Sequence, residues 1–175
     1  EPQEQGTFWC EKRFEEDLEP WETLPAERTL DCWYWDWVDT YTKTNKQSSY
    51  FPFTAPDASG DGDATLRVWC RPFYSNLAYT APNGSLTLSL DGTNVLGVFS
   101  VAGPDAVEME CSFPQTLLAE TNVLKVTVAR LNNALRVRYA IDSLTLGYRR
   151  AMTARDGTLM VDLETVEQDV VADGF

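Results

Sequence analysis

Between Leu66 and Arg150 the chain alternates apolar and polar residues in short runs separated by turn signals. Leu66-Arg67-Val68-Trp69-Cys70, Leu86-Thr87-Leu88-Ser89-Leu90 and Val107-Glu108-Met109-Glu110-Cys111 each repeat with period two, as do Val123–Val128 and Ile141–Arg150. Successive side chains of a strand point to opposite faces, so each run predicts a strand with one face buried. Eight to ten such strands with turns between them predict an all-β, antiparallel β-sandwich. Asp91-Gly92-Thr93-Asn94 predicts a hairpin into Val95–Val101, and Pro82-Asn83-Gly84 a tight turn ahead of the Leu86 strand. Asn83-Gly84-Ser85 also fits the N-glycosylation pattern, although the turn explains it as well. Asp156-Gly157 predicts a last hairpin, joining Arg149–Ala154 to Thr158–Leu163, and 114–122 is compatible with one helical turn over a sheet edge.

Residues 1–30 lack this alternation. They are acidic and irregular, and Phe14 and Leu18 stand four apart, as on one helical turn that Pro20 and Pro25 keep short. An irregular N-terminal segment, 1–30, is therefore expected to pack on a sandwich of residues 31–175, the two forming one compact domain. Within the sandwich, Cys32–Tyr41 reads as an aromatic strand and Thr42–Ser49 as a polar loop.

Composition narrows the function. A length of 175 residues with 43% hydrophobic content supports one sizeable core. Asp and Glu number 27 against 14 Lys and Arg, a net charge of −13 that repels phosphate backbones and argues against nucleic acid as a partner. Histidine is absent, so neither a Ser-His-Asp nor a Cys-His nucleophilic arrangement can be assembled from this chain. No apolar run reaches membrane-spanning length, so no membrane insertion is expected. The start at Glu1-Pro2-Gln3 reads as that of a segment processed or excised from a larger protein.

Three groups of residues could carry chemistry. In Trp33-Tyr34-Trp35-Asp36-Trp37, a regular strand would put the three indoles on one face, a platform for sugar rings with Asp36 or Asp39 accepting hydroxyl hydrogen bonds. The same indoles could instead fill the core or form an interdomain contact. Asp57, Asp61 and Asp63, with Gly62 among them, resemble the opening of a calcium loop, but the twelfth position is Val68 rather than a bidentate Glu. An ordinary Asp/Gly turn accounts for them too, so no cofactor is expected, with calcium the one candidate. Cys10, Cys32, Cys70 and Cys111 are even in number and fit two disulfides in an oxidising compartment, or four buried thiols. Of the three pairings, Cys10–Cys32 with Cys70–Cys111 is the one expected. Glu108 and Glu110, and likewise Arg136 and Arg138, read as solvated strand faces, and a stand-alone glycosidase is the least favoured function.

Three segments carry a family resemblance. Asp31-Cys32-Trp33-Tyr34-Trp35-Asp36 is similar to an aromatic D-x-W-F-W segment. The stretch from Leu86 through Asp91-Gly92 to Leu117-Leu118-Ala119-Glu120-Thr121-Asn122-Val123-Leu124-Lys125-Val126 resembles the strand, turn and L-L-x-x-x-N-x-L-x-V pattern of galactose-binding-like jelly rolls. Ile141–Arg150 resembles a closing D-x-L-x-L-x-Y-x-R strand. Together, over about residues 30–175, they resemble the β-sandwich found beside the caspase-like domain of gingipain-type cysteine peptidases, the family that includes the type IX secretion sortase. The resemblance implies a jelly-roll-like (galactose-binding-like) accessory domain of a secreted or cell-surface protein, non-catalytic itself, with the neighbouring domains of the same polypeptide as partners. The alternative is a carbohydrate-binding module that takes glycan on its tryptophan face, with calcium assisting.

Overall fold

The computed structural model describes residues 6–20, 33–41, 46–74, 82–102, 105–132, 136–152, 154–155 and 158–159. Each alternating run becomes a strand, and the inward rows of two sheets meet in one core. The first sheet contains β1 (Thr7–Glu15), β4 (Asp36–Asp39), β6 (Asp63–Tyr74), β9 (Val107–Pro114) and β11 (Val137–Ala151), in the order β1-β11-β6-β9. Strand β4 pairs with Arg138–Ile141 of β11, on the same edge where β1 pairs with Ser143–Ala151. The second sheet is β5 (Ser48–Thr54), β10 (Thr121–Arg130), β7 (Gly84–Leu90) and β8 (Asn94–Val101), in the order β5-β10-β7-β8. Two short ribbons complete the described strands: β2 (Glu19–Pro20) with β3 (Trp33–Tyr34), and β12 (Ala154–Arg155) with β13 (Thr158–Leu159). Every pairing is antiparallel. The protein is an antiparallel, jelly-roll-like β-sandwich, as the alternation predicts.

Leu66 and Val68 of β6, Ile141, Leu144 and Leu146 of β11, Leu86, Leu88 and Leu90 of β7, and Leu124 and Val126 of β10 are all fully buried between the sheets. Each such side chain contributes about 1.5–3 kcal/mol by leaving water. In β11 the register slips between Ile141 and Ser143. This bulge moves the inward row from Val137, Tyr139 and Ile141 to Leu144, Leu146 and Tyr148, a change of parity already written in the sequence.

Three local expectations change. Phe14 and Leu18 do not share a helical turn, because Thr7–Glu15 is strand β1, with Cys10 buried in the core and Phe8 and Phe14 packed against it. Gly84 opens β7 with no positive φ, so it is not a turn glycine. It is needed for close packing: a Cβ there would stand 2.5 Å from the Tyr139 hydroxyl and 3.1 Å from the Ala129 carbonyl. Asn83 of the glycosylation pattern is buried, so the folded protein does not present it for modification. The Asp91-Gly92 hairpin is as expected, with both residues at positive φ (48° and 74°). The turn after β9 is a 3-10 turn at Gln115–Leu117; β12 pairs with β13 through Ala154–Leu159 and Arg155–Thr158, and the expected Asp156-Gly157 turn lies outside the described residues.

Candidate functional site

The aromatic run does not make a platform. The chain bends at Trp35 between β3 and β4, which breaks the alternation that would have aligned the three indoles. Trp35 turns into the core, its backbone N–H donating to Ile141 and its ring meeting Phe51 edge-on at 5.2 Å. Tyr34 is buried, while Trp33 is exposed on β3. Trp37 points to the outer side of the first sheet, where Lys46 and Arg138 stand over its ring at 4.3 and 4.1 Å. Asp36 is held by Lys46 and by the Ser49 hydroxyl (2.6 Å).

Asp39 is equally committed. Its fully buried carboxylate accepts from the Arg136 guanidinium (Nε at 2.9 and 3.0 Å), from Arg138 Nε (3.3 Å) and from the Tyr41 backbone N–H (2.8 Å). Burial alone would raise its pKa, but the hydrogen bonds of Arg136 and Tyr41 and the charges of Arg136 and Arg138 together hold it below the ordinary carboxylate value. Arg136 and Arg138 therefore serve a buried carboxylate and are more than a solvated strand face.

The calcium-like loop is organised by side chains of the protein. Asp57 binds Arg150 (3.0 Å) and sits at φ 54°, while its backbone carbonyl accepts from Ala151. Gln115, buried at the end of β9, donates to the carbonyls of Ser59 and Arg149 and accepts from the Arg149 N–H. Asp61 is exposed, and Asp63 starts β6 opposite Pro114. Among the described residues no three acidic or thiol side chains gather as a metal set would require.

Among the described residues there is also no disulfide: Cys10, Cys70 and Cys111 are buried free thiols. The expected Cys70–Cys111 bridge fails on register. Cys70 lies opposite Val107 and Cys111 opposite Leu66, so the two are four residues apart along neighbouring strands. That offset, ~13 Å at strand rise, far exceeds the Cα separation a disulfide spans. Cys10 is unbridged as well, and its expected partner Cys32 lies outside the described residues. Burial pushes the Cys70 thiol up to about 12; burial, with the nearby Glu110 charge, pushes Cys111 up to about 11.

What the fold does assemble is the outer face of the five-stranded sheet. Directly opposed residues share a face. Trp9 of β1 lies opposite Arg149, Glu11 opposite Gly147, and Arg13 opposite Thr145. Across β11, Ser143 faces Trp69, Thr145 faces Arg67, and Gly147 faces Thr65; beyond β6, Trp69 faces Glu108 and Arg67 faces Glu110. Trp9, on the edge strand β1, and Trp69 are 43% and 38% exposed, high values for indoles on a paired sheet face. The Trp9 ring lies over Gly147: a Cβ there would stand 2.5 Å from its Cζ2 and 2.6 Å from Thr65 Oγ1. Arg67 reaches across β11 to Glu11 (2.9 Å), and Arg13 pairs with Glu15 and Asp142 (2.7 and 3.5 Å). The signal for Trp69 was in the sequence, since it sits between two inward residues of an alternating run, Val68 and Cys70; Trp9 stands in a segment that lacks that alternation.

No family model and no curated protein matches the chain. Solved structures do. A segment of dimeric latent PorU from Porphyromonas gingivalis is similar at 11% identity and a TM-score of 0.53, over 83% of this chain and 13% of that one. A CBM35 from Cellvibrio japonicus Abf62 matches at 15% identity and a TM-score of 0.40, over 83% of this chain and all (100%) of that one. The CBM36-1 domain of a multidomain xylanase from the hindgut metagenome of Trinervitermes trinervoides matches at 12% identity and a TM-score of 0.38, over 57% and 69%. The PorU likeness shows the fold that the sequence resemblance implied, a β-sandwich of the kind embedded in a much longer protein. Among the described residues no helix is long and apolar enough to cross a membrane.

Proposed function

We propose that this chain is a non-catalytic accessory domain of a larger secreted, gingipain-like cysteine peptidase, serving it through contact with neighbouring domains of the same polypeptide. The observation that carries the reading is the outer face of the four-stranded sheet. Its outward positions include Tyr50, Val95 and Val98, each more than 60% exposed, together with Thr87, Val123 and Lys125. No carboxylate stands at an outward position of those paired residues, in a chain whose net charge is −13. A nearly uncharged, partly apolar sheet face is what a contact with another domain favours, because no charge is desolvated there. The absence of histidine agrees with a supporting role, and the PorU segment supplies the precedent of such a sandwich within a long chain.

The test uses the parent protein. Val98→Asp and Tyr50→Asp, both outward and exposed, should leave the sandwich folded but expose the linkers around it to limited proteolysis. Unchanged proteolysis in both variants, or a flanking coding sequence without a cysteine peptidase domain, overturns the proposal. A second reading, carbohydrate binding, is favoured by one observation: the exposed Trp9 and Trp69 on the opposite side of the sandwich.

A further inference from the structure

The five-stranded face has the make-up of a ligand surface rather than of a second domain contact. From the Trp9 ring, over Gly147, to Trp69, opposite Ser143, is four residue steps along β11, a strip ~13 Å long at strand rise. The strip is floored by Thr145 and by glycine and is crossed by the Arg67–Glu11 pair. Trp9 lies against the backbone of Gly147, yet stays 43% exposed. Two indoles held on a sheet, with planar guanidinium and carboxylate groups between them, offer apolar ring faces for stacking and both donors and acceptors for hydroxyl groups.

Charge selects the ligand further. Its paired outward positions carry Arg13, Arg67, Arg71, Arg138 and Arg149 against Glu11, Glu15, Asp39, Asp63, Glu108 and Glu110, five of one sign and six of the other. It is close to balance in a chain whose net charge is −13, so it favours neither a strongly anionic nor a cationic polymer. So many charges also disfavour a dry protein interface, whose centre is depleted of Glu and Asp. Trp37, further along the same face, has Lys46 and Arg138 over its ring and so marks the end of the open strip.

We infer that the strip between Trp9 and Trp69 binds a linear, neutral polysaccharide several sugar rings long, stacked on the two indoles and hydrogen-bonded by Arg67, Glu11 and Thr145. This rests on the carbohydrate reading and adds the surface and the ligand class.

The experiment is affinity electrophoresis through native gels containing soluble xylan, mixed-linkage glucan or galactomannan, with pectin as the anionic counterpart. The native protein should be retarded by at least one neutral polysaccharide and not selectively by pectin. Trp69→Ala and Trp9→Ala should each weaken retardation about tenfold or more, as loss of a central aromatic anchor does. Thr145→Arg, an outward change that plants bulk on the strip without opening the core, should do the same with the circular-dichroism spectrum intact. Tyr50→Ala, on the opposite sheet, should change nothing. Retardation that survives both Trp69→Ala and Thr145→Arg overturns the site but leaves carbohydrate binding standing elsewhere on the molecule. Retardation by pectin alone overturns the neutral ligand class. No retardation by any of the four polymers overturns the carbohydrate reading itself.

Discussion

At the scale of single residues, the five tryptophans among the described residues show that residue type does not decide role. Trp35, at the bend between β3 and β4, is 5% exposed against Phe51, whereas Trp69, at an outward position of β6, is 38% exposed. Trp35→Ala should cost about 3–5 kcal/mol in urea unfolding, whereas Trp69→Ala should stay within about 1 kcal/mol. Asp39 gives a pH dependence with a fixed sign. Its pKa is lowered in the folded protein, so its ion pairs stabilise fully above the unfolded value of ~3.9 and lose that contribution as pH falls through the folded value. Asp39→Asn should destabilise by about 2 kcal/mol near neutrality, because the hydrogen bonds to its charged carboxylate are lost while the arginines can reach water. Urea midpoints from pH 7 down to pH 2 should show a shallower acid limb in the variant. The thiols make a further test: Cys70 and Cys111, pushed up to about 12 and 11, should resist iodoacetamide at pH 8 in the native protein and react once it unfolds. Peptide mapping reads this directly, and rapid native labelling of either would contradict their burial.

At the scale of elements, β11 connects most of the molecule. It pairs with β1 and β4 on one side and with β6 on the other, and its bulge at Asp142 sets which residues face the core. Gly147 is its tightest outward position, because Trp9 and Thr65 occupy the space a side chain would need. Gly147→Ala should therefore destabilise by about 1–3 kcal/mol through overpacking. Combining it with Trp9→Ala should recover part of that loss, and a double-mutant cycle by thermal unfolding measures how much. Additive effects would mean that the ring does not lie over the glycine. Elements with clean alternation, such as β6, β7, β9 and β10, were legible in the sequence down to the inward residues. Strand β1 was not, because its inward row includes Lys12 between Cys10 and Phe14, which interrupts the apolar period. Lys12 caps the edge of the core by reaching Thr54 Oγ1 (3.3 Å) and lying 5.1 Å from the Phe14 ring centre, a contact between sheets that the local pattern does not show.

At the scale of the whole molecule, two sheets share a single cluster of buried residues, so the sandwich should unfold as one unit. Far-ultraviolet circular dichroism and tryptophan fluorescence should give coincident urea transitions, and separated midpoints would show that the sheets come apart independently. The two outer faces differ in kind. One is nearly uncharged with Tyr50, Val95 and Val98 outward; the other alternates arginine and glutamate around two indoles. A domain of this form can pack on a neighbour with one side and present a ligand surface with the other.

The sequence by itself determined the class of fold, the inward rows of the long strands, the Asp91-Gly92 hairpin and the exclusion of imidazole chemistry. These are properties of periodicity, turn stereochemistry and composition, and they act over a few neighbouring residues or over the chain as a whole. Tertiary structure decided the rest. The bend at Trp35 dispersed the expected platform, the register of β6 against β9 kept Cys70 and Cys111 apart, and Arg136 and Arg138 claimed Asp39 from nearly a hundred residues away. Each depends on which strands pair and in what register, and registry is fixed by the packing of the whole core rather than by any single strand.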